Sequence, residues 1–224
     1  MRALRFRRHA RRQDLGLTAR EYRMLARLAS PARIQAFVSS IPANFELHGE
    51  TVHSVRNALR QGEAHCIEGA LVAACALWIH GEPPLVLHLG CAPHDNPHVL
   101  ALFRRGRCWG AISKSNGAWL RFREPVYRSL RELAMSYFHE FFDRRGCKTL
   151  RSYSGAYDLR RVDPADWVTA EQSCWQLHDR LASLRHHPLM TPAQARSLAR
   201  RDPFERKSTS LVEHPRPVRA SGMS

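Results

Sequence analysis

The sequence predicts an α+β domain, with helices at both ends around a small antiparallel sheet. Three observations carry that prediction. Residues 66 to 79 read CIEGALVAACALWI, apolar on every side and rich in alanine, which marks a buried helix that lets neighbouring backbones approach closely. Short apolar runs follow between residues 85 and 113, each bounded by proline, glycine or polar turn residues, as strands are. Capped amphipathic segments lie before this centre and after it.

Residues 1 to 14 form a basic arm with little to bury, expected to be flexible. Thr18-Ala-Arg-Glu21 is a capping-box pattern, and Tyr22, Leu25, Ala26 and Leu28 give the apolar face of a first helix. Ser30 and Pro31 start a second, with Ile34, Phe37, Val38 and Ile41 at helical spacing up to Pro42. Residues 43 to 51 read as irregular, and Ser54 caps a third short helix holding Val55, Ala58 and Leu59. Gly81 stands where the central helix should end. Pro84 introduces the strand LVLHLG, and residues 98 to 104 and 108 to 113 make a hairpin about Arg105-Gly106-Arg107.

The longest amphipathic helix is expected over Tyr127 to Phe142, started by Pro125, with Val126, Leu130, Leu133, Tyr137 and Phe141 as its inner stripe and Gly146 just past its end. Residues 148 to 154 supply one further strand. Asp163-Pro164 and Thr191-Pro192 start helices, with Trp167, Trp175, Leu177, Leu181 and Leu184 buried between them. From about Arg206 the chain is Ser, Pro and Arg without periodicity. Residues 206 to 224 therefore read as a disordered tail and residues 15 to 205 as a single domain.

Of 224 residues, 44% are apolar and 25% charged, and no apolar run approaches the roughly 20 residues of a membrane span. The formal charge of +15 raises nucleic acid or an acidic protein as a partner. Against that reading, lysine occurs only at 114, 148 and 207, and the arginines are spread over the chain apart from Arg2, Arg5, Arg7, Arg8, Arg11 and Arg12. Cysteines 66, 75, 91, 108, 147 and 174 show no CxxC pair and no zinc-finger spacing, so they are expected to be reduced thiols in the cytoplasm. Arg11-Arg12 is not followed by the apolar run of an export signal.

The chemistry centres on Cys66 and His98. A thiol at the start of a helix meets unsatisfied amides and the positive end of the dipole, both of which favour the thiolate. An imidazole at the head of the strand HVLALFRR supplies a base. Cysteine on a helix, histidine at the head of one strand and a polar group closing the next resembles the transglutaminase-like cysteine enzymes. The matching phrases are His98-Val99-Leu100-Ala101-Leu102 and Trp109-Gly110-Ala111-Ile112-Ser113, and the resemblance covers about residues 60 to 117. It implies a papain/transglutaminase-like α+β fold, a buried helix on a small antiparallel sheet with flanking helices. It also implies a hydrolase or acyltransferase acting on a peptide, amide or thioester.

The sequence departs from that family at one position, because the expected aspartate falls on Ser113. Asn116 and Asp95 are the other groups that could orient the His98 ring. The departure leaves an alternative, a catalytically inactive fold that binds nucleic acid or an acidic partner. His88, His94, Asp95 and His98 could gather a metal, but thirteen histidines cluster by chance and no HExxH is present, so neither metal nor cofactor is expected. His65 reads as a surface or capping residue, and Glu68, in the first helical turn, would oppose a thiolate if it pointed at Cys66. Trp109, Trp119, Phe122 and Tyr127 could line a substrate pocket, and Lys114 to Gly117 could close over it.

Overall fold

The computed structural model describes residues 8–208 and 211–217. Four helices come first: α1 (Ala19–Ala26), α2 (Pro31–Ser40), α3 (Val55–Gln61) and α4 (Cys66–Ile79). Thr18, Ser30 and Ser54 cap the first three, each side chain accepting a hydrogen bond from an amide three residues on. From Ile67 to Ile79 every residue of α4 is buried. The strands follow as β1 (Leu85–Cys91), β2 (His98–Arg105), β3 (Cys108–Ile112), β4 (Arg123–Tyr127), β5 (Leu150–Ser154), β6 (Tyr157–Asp158) and β7 (His186–Pro188). Their order is β4-β3-β2-β1-β5-β7, with β6 also paired to β1, and every pairing is antiparallel. Shorter helices lie among and after the later strands: α5 (Leu130–Met135), α6 (Trp175–Ala182), α7 (Pro192–Arg196) and α8 (Pro203–Lys207).

Strand alternation divides the core into two layers. Val86, Val99, Ala101, Phe103 and Ile112 pack with the residues of α4, whose outer side α1, α2 and α3 cover. Leu87, Leu89, Leu100, Leu102 and Ala111 face the other way, onto Leu133, Tyr137, Phe138 and Phe141. With both faces covered, β1 and β2 read as continuous apolar runs rather than alternating ones. Small residues let α4 approach its neighbours. A Cβ on Gly69 would fall 2.4 Å from Cβ of Lys114, so glycine is required where the helix passes the end of β3.

The long helix expected over Tyr127 to Phe142 is not formed. Arg123–Tyr127 is instead the edge strand β4, Ser129 caps the short helix α5, and a single 3₁₀ turn spans Phe138–Glu140. Leu133, Tyr137 and Phe141 are buried as expected, but Val126, on the edge strand β4, is 65% exposed. Trp175 also departs from expectation, at 39% exposed.

The two ends of the chain depart as well. Residues 8 to 14 are not a free arm: Ala10 is buried and its amide donates to the Trp78 carbonyl, and the His9 ring lies over Gly81. Residues 211 to 217 lie against the loop after β3, where Val212 bridges to Gly117 and Glu213 pairs with Arg121 at 2.8 Å. The remaining arm and tail residues, Arg2, Arg5 and Arg7 among them, fall outside the described residues. Among the described residues no helix is long and apolar enough to cross a membrane.

Candidate active site

Cys66 is the first residue of α4 and His65 its N-cap. The thiol has a hydrogen-bonding imidazole on either side, from His65 and from His98, and its sulfur lies 3.9 Å from the Pro97 carbonyl oxygen. It opens into a cleft of about 390 Å³ whose walls include Thr51, His65, His88, Pro97, Val99 and Trp175. A larger hollow of about 690 Å³ lies between residues 161 and 180, but neither Cys66 nor His98 lines it.

Local structure fixes both imidazoles. His98 opens β2 and is buried, with Nε2 at 2.7 Å from Oγ of Ser113. That hydroxyl donates its own hydrogen to the Leu120 carbonyl, so it can only accept from the ring. Nε2 therefore carries the ring hydrogen, and Nδ1 is the nitrogen left for the thiol. Nε2 of His65 sits 2.9 Å from the Thr51 carbonyl oxygen, which only accepts, so Nε2 carries a hydrogen.

A second ring of contacts holds this arrangement. Gln35, on α2, exchanges two hydrogen bonds with the Ser113 backbone at 2.8 and 2.9 Å. Leu120 has a positive φ of 54°, rare for leucine, where its carbonyl meets Ser113 and its amide donates to Glu140 at 2.9 Å. Glu68 is fully buried and turned away from the thiol. Its carboxylate accepts from the amides of His53 (2.7 Å) and His65 (2.8 Å), from Thr51 Oγ1 (3.0 Å) and from Asn44 Nδ2 (3.1 Å). It also lies 3.5 Å from Nε2 of His65.

The electrostatics follow from these contacts. Burial works against a charged Cys66, but the hydrogen bonds and charges of His65 and His98 outweigh it and hold the thiol well below its ordinary value. Burial likewise opposes a charged His65, yet the Cys66 hydrogen bond, the thiolate and Glu68 raise it to about 10. Burial alone dominates elsewhere, pushing Cys75 far up and Cys91 and Cys174 up to about 11. All six cysteines are free thiols.

Of the three groups considered for orienting His98, only Ser113 reaches the ring. Asn116 is tied to the backbone of His214, donating to its carbonyl at 2.9 Å and accepting from its amide at 2.8 Å. Asp95 is held in its own loop by Thr149 Oγ1 and the Asn96 amide. His88, His94, Asp95 and His98 do not converge, and no group of three metal-ligating side chains occurs among the described residues. Three of the aromatic residues expected at a pocket make structural contacts: Phe122 stacks on Phe103, Trp119 meets Phe142 at a tilt, and Trp109 lies under Arg104. Lys114 does not close over the cleft, since it is buried and donates to the Ile41 and Ser39 carbonyls. His65, Gln35 and the Leu120 carbonyl are site groups that carry no local motif. The capping position of His65, one residue before the thiol, was the single available signal.

The chain matches no protein-family model, and no curated protein matches its sequence.

Proposed function

We propose that the protein is a cysteine hydrolase or acyltransferase of the transglutaminase-like kind, acting on an amide or thioester. The observation that supports this best is the thiol of Cys66 set between two imidazoles at a helix N-terminus, with His98 fixed by Ser113. The Cys66 thiolate attacks the carbonyl carbon, and first-turn amides of α4 that lack an intrahelical acceptor hold the developing oxyanion. The carbonyl–nitrogen or carbonyl–sulfur bond then breaks, and His98 Nδ1 delivers a proton to the departing amine or thiol. A water or an amine next loses its proton to His98 and attacks the acyl-thioester, releasing the product and the thiolate.

The test is covalent trapping. Incubation with simple acyl thioesters should leave one acyl group on Cys66, found by peptide mass spectrometry. Cys66→Ala should abolish it, and His98→Ala should slow its formation by about 10²-fold or more, the usual contribution of a positioned acid–base group. An unacylated Cys66, or equal rates in wild type and His98→Ala, would refute the reading.

A further inference from the structure

The floor of the Cys66 cleft contains a buried histidine whose hydrogen-bonding capacity is only half used. His88 lies on β1, directly opposite Val99, and is 94% buried by its relative exposure of 6%. Its Nδ1 sits 2.8 Å from Nε2 of His186, on α6-proximal strand β7. His186 in turn places Nδ1 at 2.7 Å from the Leu184 carbonyl oxygen. A carbonyl only accepts, so His186 Nδ1 carries a hydrogen, its Nε2 is the acceptor, and His88 Nδ1 is the donor between the rings. Nε2 of His88 is then an unprotonated acceptor, and it is buried with no partner. Buried polar nitrogens are normally satisfied, and an orphan costs about 1–3 kcal/mol.

His88 lines the same cleft as the nucleophile, together with Thr51, Pro97, Val99 and Trp175. The rim is also rich in acceptors, since Glu46 and Glu50 both line it although the chain as a whole carries +15. We propose that Nε2 of His88 is the specificity-determining acceptor of this cleft, receiving an N–H from a carboxamide-bearing substrate. This rests on Cys66 being the nucleophile of the cleft. Burial first, then the neighbouring His186, His178 and His98, lower His88 to about 4, so the ring remains a neutral acceptor at physiological pH. An ester or ether in the same position offers no hydrogen and leaves Nε2 unsatisfied, which is how a polar site rejects an isostere.

Two measurements separate this from the reading on which it rests. The first is binding of glutaramide or dimethyl glutarate to Cys66→Ala protein, which cannot attack either probe, followed by the imidazole ¹⁵N resonances of protein carrying labelled histidine. Glutaramide should move the unprotonated Nε2 signal of His88, and dimethyl glutarate should not. The second is alkylation of Cys66 by chloroacetamides ending in a primary amide or in the matching methyl ester, on linkers of one to three methylenes. For at least one linker the amide should react about tenfold faster, the usual discrimination for one hydrogen bond to a buried group. His88→Asn keeps a donor toward His186 but removes the acceptor, and should bring the ratio to about 1. His88→Gln, whose Oε1 replaces the ring acceptor, should restore much of it. Equal rates for amide and ester in wild type, or a ratio unchanged in His88→Asn, overturns the assignment while leaving Cys66 reactive. If Cys66 fails to alkylate with any reagent, the nucleophile reading falls, and a silent His88 resonance with glutaramide overturns the assignment by itself.

Discussion

Alkylation of Cys66 at low pH tests the geometry most directly. An ordinary thiol with a pKa near 8.5 is about 0.3% thiolate at pH 6. A thiol pushed up to about 11, as Cys91 and Cys174 are, is thiolate in about one molecule in 10⁵ at that pH. Cys66, held well below its ordinary value by the His65 and His98 imidazoles, carries more thiolate at that pH than an ordinary thiol does. Complete conversion to thiolate sets the ceiling of that gain in population at about 300-fold. Intrinsic nucleophilicity falls by roughly threefold for each tenfold rise in acidity, so the rate advantage over free cysteine is smaller than the gain in population.

The assay is iodoacetamide labelling across pH 5 to 9 with each cysteine peptide quantified separately. Cys66 should keep its labelling rate to lower pH than the other cysteines do, while ordinary thiols lose about tenfold per pH unit below their pKa. Removing one partner, as in His65→Ala or His98→Ala, deletes a charge-assisted hydrogen bond of about 1.5–3 kcal/mol. That corresponds to a roughly 10- to 100-fold drop in the thiolate-to-thiol ratio. A Cys66 profile parallel to that of Cys108 or Cys147, or one unchanged by either substitution, would refute the bracketed-thiolate geometry.

Further outcomes follow from the same contacts. Glu68→Ala leaves four donors unsatisfied in a sealed site and should lower unfolding free energy by about 3–5 kcal/mol in urea titrations; a loss under 1 kcal/mol would contradict its burial. Ser113→Ala should slow acylation of Cys66 by about 10- to 100-fold, with little change in thermal stability beyond the two lost buried hydrogen bonds. Ser113→Asp should not exceed wild type, because a carboxylate cannot donate to the Leu120 carbonyl as the hydroxyl does. Stability should vary with pH through His65 and Cys66. The raised His65 contributes fully below pH 6.5 and loses its contribution as pH rises through about 10, and the depressed Cys66 contributes above pH 9.0 and loses its contribution as pH falls through its folded value. Their sum is a plateau between pH 6.5 and 9.0 that falls on both sides, read as urea midpoints, and His65→Asn should lose most of it.

What was legible in the sequence is what short-range rules control. The bounds of α4 followed from an unbroken apolar run ending at Gly81, which has the positive φ of 86° expected there. The β2–β3 hairpin followed from Gly106, also at positive φ, between two apolar segments. The stretch from 123 to 142 misled because Val126, Leu130, Leu133, Tyr137 and Phe141 repeat at helical spacing. That spacing arises by chance where an edge strand, one helical turn and a 3₁₀ turn succeed one another. Pairing of β4 with β3 decided the matter, a long-range contact that no local pattern reports. Cys66, His98 and Ser113 were legible because the hairpin register that pairs Ala101 with Ile112 carries Ser113 to a diagonal neighbour of His98, within 2.7 Å of its ring. Gln35 was not, since its partner lies 78 residues away on another element.

With the neutral Ser113 beside His98, the negative charge of the site comes from elsewhere. Glu68 supplies it, 3.5 Å from Nε2 of His65, the residue that precedes the thiol. An imidazole held protonated up to about pH 10 is a poor proton carrier near neutrality, because transfer is most effective when donor and operating pH match. His65 therefore suits the fixed task of holding the thiolate. His98 faces a neutral hydroxyl instead of a carboxylate. On the proposed mechanism, the tasks of stabilising the nucleophile and moving its proton, which one carboxylate-backed histidine can perform, are divided between two histidines. This division makes the variants inequivalent: His65→Ala should lower thiolate content more than it lowers the rate per thiolate, and His98→Ala should do the reverse.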